Sequence, residues 1–428
     1  MLTAEDNELI TRTGPGTPGG NLMRRYWQPV ELVAELPERG APIPVRLLGE
    51  DLVLFRDDQG RPGLLGIHCS HRGADLSYGR LEDGGLRCIY HGWLYDVHGR
   101  CLEQPGEPAS STFHEKIRHT AYPCIERAGV IWAYLGPGEP PLFPNYEFLN
   151  APPESTDATK LYQECNYLQA VEVAIDLSHL SFIHYQNGPV LGDGSPSDGL
   201  LNHRGAAPFL DTAEAAFTSY GVRSGRIQHW EPDKEIRMDE YILPNIVAFP
   251  QTAVRDERER RGYSAHCHVP IDDTRHWKFS FQFSRKGPLE WIPTRADMVD
   301  YQPIHNLSNR FHQDREEMVS KTYVGMGQNF RAHDQWATES QGPIHNRTAE
   351  HLGALDLALV LSRQALLKAI RDLADEGKEP ENVVRDPAQN HFPLAPFAVL
   401  VPPSTDWAEF CGFAEQLTEE AIAHQPAR

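Results

Sequence analysis

No apolar run in the 428 residues approaches the eighteen or so that a membrane-crossing helix requires. The opening MLTAEDNELITRTGPGTPGG has neither a basic stretch followed by an apolar one nor a cleavage signature, so a cytoplasmic chain with no membrane association is expected. Positive charge is also scarce. Sixty Asp and Glu stand against 40 Lys and Arg, and the resulting net charge of −20 repels nucleic acid and anionic lipid. The seven cysteines are an odd, scattered set without framework spacing, which excludes a disulfide-built fold. Cys101, Cys124, Cys165, Cys267 and Cys411 are expected as reduced thiols. Dinucleotide fingerprints are missing too: the glycines of TGPGTPGG are interrupted by Pro15 and Pro18 and follow no strand. There is no internal repeat, and a chain of this length is expected to form two domains.

What is present is the stretch from Cys69 to Trp93, CSHRGADLSYGRLEDGGLRCIYHGW, with Cys69-Ser70-His71 and Cys88-Ile89-Tyr90-His91 as two mixed ligand pairs. Thiolate and imidazole suit both iron and zinc, so two of each make a four-ligand metal site. Zinc fingers usually pair Cys with Cys and His with His. One of each per loop favours a two-iron cluster with two Cys on one iron and two His on the other, a Rieske [2Fe–2S] centre. A structural zinc knuckle on the same side chains is the alternative. Gly73, Gly79, Gly84, Gly85 and Gly92 would let backbone amides approach the cluster sulfurs. Runs such as VRLLG, LVLFR, LRCIY and VIWAYLG, broken by Gly, Asp and Pro, predict short antiparallel strands over residues 25–140.

From Gly136 to Glu154 the chain is too proline-rich for helix or central strand and reads as a connector, giving domains 1–145 and 146–428. Beyond it, Leu168, Val171, Ile175 and Leu177 or Leu180 recur at helical spacing and predict a helix over Cys165 to His184. Asn166, Gln169, Glu172, Asp176 and His179 form a stripe on it that is short of Lys and Arg and ends in histidines, an odd composition for a solvated face. Asp176-x-x-His179-x-x-x-x-His184 offers two imidazoles and a carboxylate. On an ideal helix the two histidines point about 140° apart, so they can share an ion only if the helix bulges or ends. Two His and one carboxylate on one face of iron(II) leave positions open for O2 and substrate. Asp314, Glu316, Glu317, Asp334 and Glu339 are downstream carboxylate candidates. The alternatives are accidental histidine pairing among 20 histidines, and a helix-surface Asp176. The block from RIQHWE to HWKFSFQFSR predicts an antiparallel sheet, and TAEHLGALDLALVLSRQALLKAIRDLADEG an amphipathic helix, an α+β second domain.

The C-x-H and C-x-x-H-G-W loops, NYLQAVE at Asn166 to Glu172, the D-x-x-H-x-x-x-x-H motif and the RAHDQWATES segment together resemble the Rieske non-heme iron ring-hydroxylating oxygenases. The resemblance covers nearly the whole chain and is closest to the phthalate 4,5-dioxygenase-like branch. It implies an oxygenase (α) component with an all-β Rieske domain and a helix-grip, START-like catalytic domain. Cys69, His71, Cys88 and His91 would then hold the [2Fe–2S] cluster, and His179, His184 and Asp334 the mononuclear Fe(II), with Glu339 as Asp334's partner. Asn166, Gln169 and Glu172 would support the ligands from behind. Asp176 would bridge a cluster His to an iron His of the next subunit in a head-to-tail trimer, alone or stacked. O2 is the implied co-substrate, and a small aromatic compound the substrate. Electrons from NAD(P)H would arrive through a separate flavin and iron–sulfur reductase, with or without a ferredoxin. Among Arg204, Arg223, Arg226 and Arg237, which the bland reading leaves on the surface, Arg237 aligns with the relatives' carboxylate-binding arginines. Aryl-ether O-demethylation is the runner-up reaction, and a Rieske electron carrier with a degenerate second site the non-enzyme alternative.

Overall fold

The structure is a computed structural model and describes residues 2–176, 178–185, 212–230, 233–250, 262–289, 295–408, 410 and 412. The first part of the chain holds three small antiparallel sheets. Ile43–Leu47, Glu50–Arg56, Pro62–Gly66 and Ala121–Tyr122 make one; Trp27–Leu32, Val130–Tyr134 and Cys124–Arg127 the second; Arg80–Glu82, Gly85–Arg87, Leu94–Tyr95 and Cys101–Glu103 the third. The second part is an eight-stranded sheet in the order Thr156–Gln163, Arg275–Phe283, Tyr263–Asp272, Ile246–Pro250, Asp233–Ile242, Gly221–Trp230, Thr212–Thr218, with Phe397–Val401 also paired to Asp233–Ile242. The α+β class and the sheet expected from the sequence are both found. Strands Thr156–Gln163 and Phe397–Val401 were not anticipated.

Alternation along the sheet gives it two different faces. On Arg275–Phe283, Phe279, Phe281 and Phe283 point to one side, where Trp132 stacks on Phe281 with centroids 5.9 Å apart. This side joins the cluster-bearing part, with the buried ion pair Lys160–Glu31 and backbone bonds from Leu48 and Gly49 to Pro270 and Ile271. His276, Lys278, Ser280 and Gln282 point to the other side, which the helices Tyr167–Ile175 and Leu357–Glu376 cover. The helix Leu357–Glu376 starts later than the sequence pattern suggests, after Gly353, and ends on Gly377 at φ +67°, the left-handed conformation a C-terminal glycine supplies. The N-terminal helix Ala4–Thr11 closes over the Tyr167–Ile175 helix: Ile10 and Thr11 carbonyls accept from the Tyr167 hydroxyl (2.8 Å) and the Asn166 amide (2.9 Å).

The expected single helix from Cys165 to His184 is corrected. It runs only from Tyr167 to Ile175, Asp176 is extended (φ −74°, ψ 117°), and a separate 3-10 turn spans His179–Ser181. The cause is local. The Asp176 carboxylate accepts from both the backbone N–H and the hydroxyl of Ser178, each at 2.7 Å, a side-chain turn that competes with the next helical bond.

Candidate metal centres

The two Cys/His loops are copies of one turn. In the first, Cys69 N–H donates to Ala74 O and Gly73 N–H to Cys69 O, both at 2.8 Å; in the second, Cys88 N–H donates to Trp93 O (2.8 Å) and Gly92 N–H to Cys88 O (3.0 Å). Gly73 and Gly92 sit at φ +74° and +78°, a conformation that strains any side chain. Each loop therefore turns its Cys inward and its His outward. Cys69 and Cys88 are buried in an apolar cluster with Leu76, Leu86 and Tyr95, while His71 and His91 are exposed with ring centroids 4.5 Å apart. Tyr95 Oη lies 3.2 Å from Cys69 Sγ, and Trp93 stacks on His71 at 4.6 Å. Burial, with Cys69 beside it, pushes the Cys88 thiol up from its ordinary value, so a bound metal must supply the positive charge that ionises it.

A single tetrahedral zinc would draw its ligand atoms within about 4 Å of one another. Among the described residues only His179, His184 and Asp334 form a group with ligand atoms all within 4.8 Å. The Cys/His set does not, and its division into a buried thiol pair and an exposed imidazole pair fits a two-metal cluster with one ligand type on each metal.

The triad is assembled from two segments. After the Asp176–Ser178 turn, the chain brings the His179 and His184 rings to a centroid distance of 5.2 Å. Asp334 comes from the middle of the helix Phe330–Glu339, whose N-cap is Asn329, so Asp334 caps nothing. Its Oδ1 lies 3.0 Å from His184 Nε2 and 3.8 Å from His179 Nε2. Burial alone would raise the Asp334 carboxyl, but His184, His179 and Lys278 hold it well below the usual carboxylate range. The His179 imidazole is lowered by burial and by His184, against Asp334 and Asp176. His179 Nδ1 and Asp334 Oδ1 are buried with no hydrogen-bond partner. Two imidazoles and an ionised carboxylate with unused lone pairs suit one divalent iron.

The other carboxylate candidates lie elsewhere. Asp314 caps the helix Arg315–Ser320, and Glu317 accepts from Thr322 and Gly327. Glu339 accepts from Glu164 N–H at 3.0 Å, outside the triad, and burial pushes its carboxyl up to about 7. Asp176 Oδ2 stands 3.9 Å from His179 Nδ1. The first three residues of the odd stripe, Asn166, Gln169 and Glu172, prove to be buried: Gln169 bonds Thr338 O, Gly342 O and His345 N, and Glu172 accepts from Arg347 (2.8 and 2.7 Å) and from Arg363 (2.7 Å). These bonds fasten the helix before the two histidines to the chain just after Asp334.

Sequence reasoning missed His333. Its Nε2 lies 2.9 Å from Gly327 O and must carry the proton, leaving Nδ1 as acceptor for His184 Nδ1 at 3.2 Å. His184 Nε2 is thereby left with its lone pair toward the triad. Only its place beside Asp334 could have flagged it. Of the arginines, Arg204 is outside the described residues. Arg223 pairs with Glu240 on the outer face of the sheet (2.8 Å). Arg226 and Arg237 are cross-strand partners on the helix-covered face, paired with Glu235 (3.3 Å) and Asp239 (3.2 Å).

Compared with known proteins, residues 26–117 match the Rieske [2Fe-2S] domain family and residues 133–426 the "LigXa C-terminal domain like" family. The phthalate 4,5-dioxygenase oxygenase subunit of Pseudomonas putida is 36% identical over 393 residues, covering 86% of each chain. The 5,5'-dehydrodivanillate O-demethylase oxygenase subunit of Sphingobium sp. (strain NBRC 103272 / SYK-6) is 32% identical, covering 91% of this chain and 85% of its own. A solved structure described as the reduced complex between oxygenase and ferredoxin in carbazole 1,9a-dioxygenase shares the fold, with a TM-score of 0.55 at 19% identity over 87% of this chain and 95% of its own.

Proposed function

This chain belongs to the Rieske oxygenases, and from that premise we propose that it hydroxylates a small aromatic compound, with Cys69, His71, Cys88 and His91 holding the cluster and His179, His184 and Asp334 the iron. The observation that carries this is the convergence of His179, His184 and Asp334 with donor atoms all within 4.8 Å, in a chain that also presents the two Cys/His loops. When bound, the cluster and the iron supply single-electron transfer and O2 activation.

The protein's own part is positioning. Cys69 and Cys88 anchor one end of the cluster in the apolar interior, and His71 and His91 bring the other to the surface, beside exposed Tyr78, Ile89, Tyr90 and Phe113. Asp176, 3.9 Å from His179 Nδ1, acts on that imidazole through its charge and, being partly exposed, can face a neighbouring subunit's imidazoles in a head-to-tail trimer. Asn166, Gln169 and Glu172 hold the ligands' segments together. Arg237, on the helix-covered face of the sheet, is assigned to substrate contact, its charge shared with Asp239.

A separate protein delivers the electrons. We assign this role to a reductase with flavin and iron–sulfur groups, directly or through a ferredoxin, as the oxygenase–ferredoxin neighbour suggests. No helix among the described residues is long and apolar enough to cross a membrane, and we place the enzyme in the cytoplasm, with domains 1–145 and 146–428. O-demethylation is the second reading, favoured by the O-demethylase relative. Incubating the reconstituted enzyme with aromatic carboxylates and aryl ethers under labelled O2 decides: label in a ring hydroxyl supports the first reading, an aldehyde with a demethylated product supports the second, and no label in any product contradicts both.

A further inference from the structure

The helix-covered face of the sheet is rich in buried charge, and nearly all of it is matched. Arg226 has Glu235, Arg237 has Asp239, and on other faces Arg223 has Glu240, Lys160 has Glu31 and Arg285 has Glu147. Lys278 is the exception. It is 5% exposed, and no hydrogen bond or ion pair to its ammonium exists among the described residues. Its ammonium has only more distant charges, Asp334 first among them, to offset its burial, which lowers its pKa, so a carboxylate in direct contact would stabilise it.

Register fixes where it stands. Lys278 lies directly between His268 on one neighbouring strand and Leu161 on the other. Two residues away on the same face, His276 bonds the carbonyl of Cys165 at 2.9 Å, immediately before the helix that leads to His179. Lys278 shares its face of the sheet with His266, and its charge reaches Asp334, so it stands within electrostatic range of the triad. Beside it, His268 is 1% exposed, with Nδ1 3.3 Å from His276 Nε2 and Nε2 without a partner. An ammonium with no hydrogen-bonded carboxylate and an unused imidazole nitrogen thus stand side by side on the helix-covered face of the sheet.

We propose that Lys278 is the anion-recognising residue of the substrate cavity, taking the carboxylate of an aromatic acid while His268 Nε2 offers that substrate a second polar contact. One cation without a carboxylate in direct contact fits one substrate carboxylate, and Arg226 and Arg237, farther along the same face, already have carboxylates of their own. The proposal deepens the oxygenase reading and rests on it, since it is the triad that makes this face the wall of a substrate cavity.

The test is calorimetric titration of the anaerobic holoenzyme with benzoate and with benzamide, its neutral counterpart. A charge-assisted contact at a buried site should make benzoate about tenfold or more the tighter ligand. Lys278→Met should erase that preference with benzamide affinity and iron content unchanged, and Lys278→Arg should retain it. A parent enzyme that does not prefer benzoate overturns the proposal even if Lys278→Met fails to fold, and so does a preference that survives Lys278→Met. Oxygen incorporation is read separately: a Lys278-dependent preference without labelled product would refute the oxygenation reading and leave the anion site standing.

Discussion

The four proposed cluster ligands lie in one stretch between Cys69 and His91, whereas the proposed iron triad draws on His179, His184 and the distant Asp334. Each cluster loop closes on itself through two backbone bonds and a left-handed glycine, so its geometry is set within six residues. Nothing local sets the triad. It depends on a helix that stops at Ile175, on the Asp176–Ser178 turn, and on Glu172, Arg347 and Arg363 tying the two contributing segments together. Their exposure differs as well: the cluster's imidazole end is open to partners, and the triad is largely enclosed. A site that exchanges electrons with another protein can be a surface loop. A site that must exclude water needs the whole domain around it.

The largest effect that would sharpen this contrast is expected at Asp176. Asp176→Asn should keep both metals yet lower turnover by about 100-fold, the upper range for a group that orients a ligand from behind. Unchanged turnover in steady-state assays would leave Asp176 as a surface turn residue. Mixed oligomers of His71→Ala and Asp334→Ala chains should recover activity that neither has alone, and inactive mixtures would mean that transfer runs within one chain.

Glu172→Gln attacks the long-range tie. It leaves Arg347 buried without a carboxylate and Arg363 with Glu350 alone, and should destabilise the catalytic domain by about 3 kcal/mol in denaturant melts, with the cluster spectrum intact. A loss under about 1 kcal/mol would mean that the tie contributes little. On the local side, His71→Cys should keep a two-iron cluster and lower its potential by on the order of 100 mV or more, because thiolates favour the oxidised state. An unchanged potential in redox titration would refute His71 as a ligand.

The smallest effect is a pH dependence. Glu339, raised to about 7 in the folded chain from the model-peptide 4.5, binds its proton more tightly folded than unfolded. Its contribution is therefore full below about pH 4.5 and lost as pH rises through about 7, a swing of about 3 kcal/mol at most. Glu339→Gln should flatten stability across that window, and an identical pH profile in thermal melts would show that Glu339 titrates normally.

The same contrast governs what the sequence could tell. The cluster ligands and the strands around them were readable because spacing, glycine and alternation are local signals. The sheet's two faces were not. HWKFSFQFSR alternates plainly, but only the fold shows that the Phe279 and Phe281 side meets Trp132 and that Lys278 stands within electrostatic range of the triad. The helix boundary was misjudged because apolar spacing continues through Leu177 and Leu180, and the signal that overrides it is a single Asp-x-Ser turn. Asp334 was reached by resemblance, since periodicity alone marks it as one polar residue on an amphipathic helix. His333 and Lys278 carry no motif: His333 meets His184 across 149 residues of sequence, and the charge of Lys278 reaches Asp334 only through the fold.

Each chain is proposed to carry a two-iron cluster and a separate iron held by His179, His184 and Asp334. Counting iron and acid-labile sulfide per chain tests it most directly. The expected result is about three irons and two sulfides in the parent, and about two and two in Asp334→Ala with the cluster spectrum unchanged. Zinc without sulfide, or an Asp334→Ala chain that keeps its third iron, would contradict it.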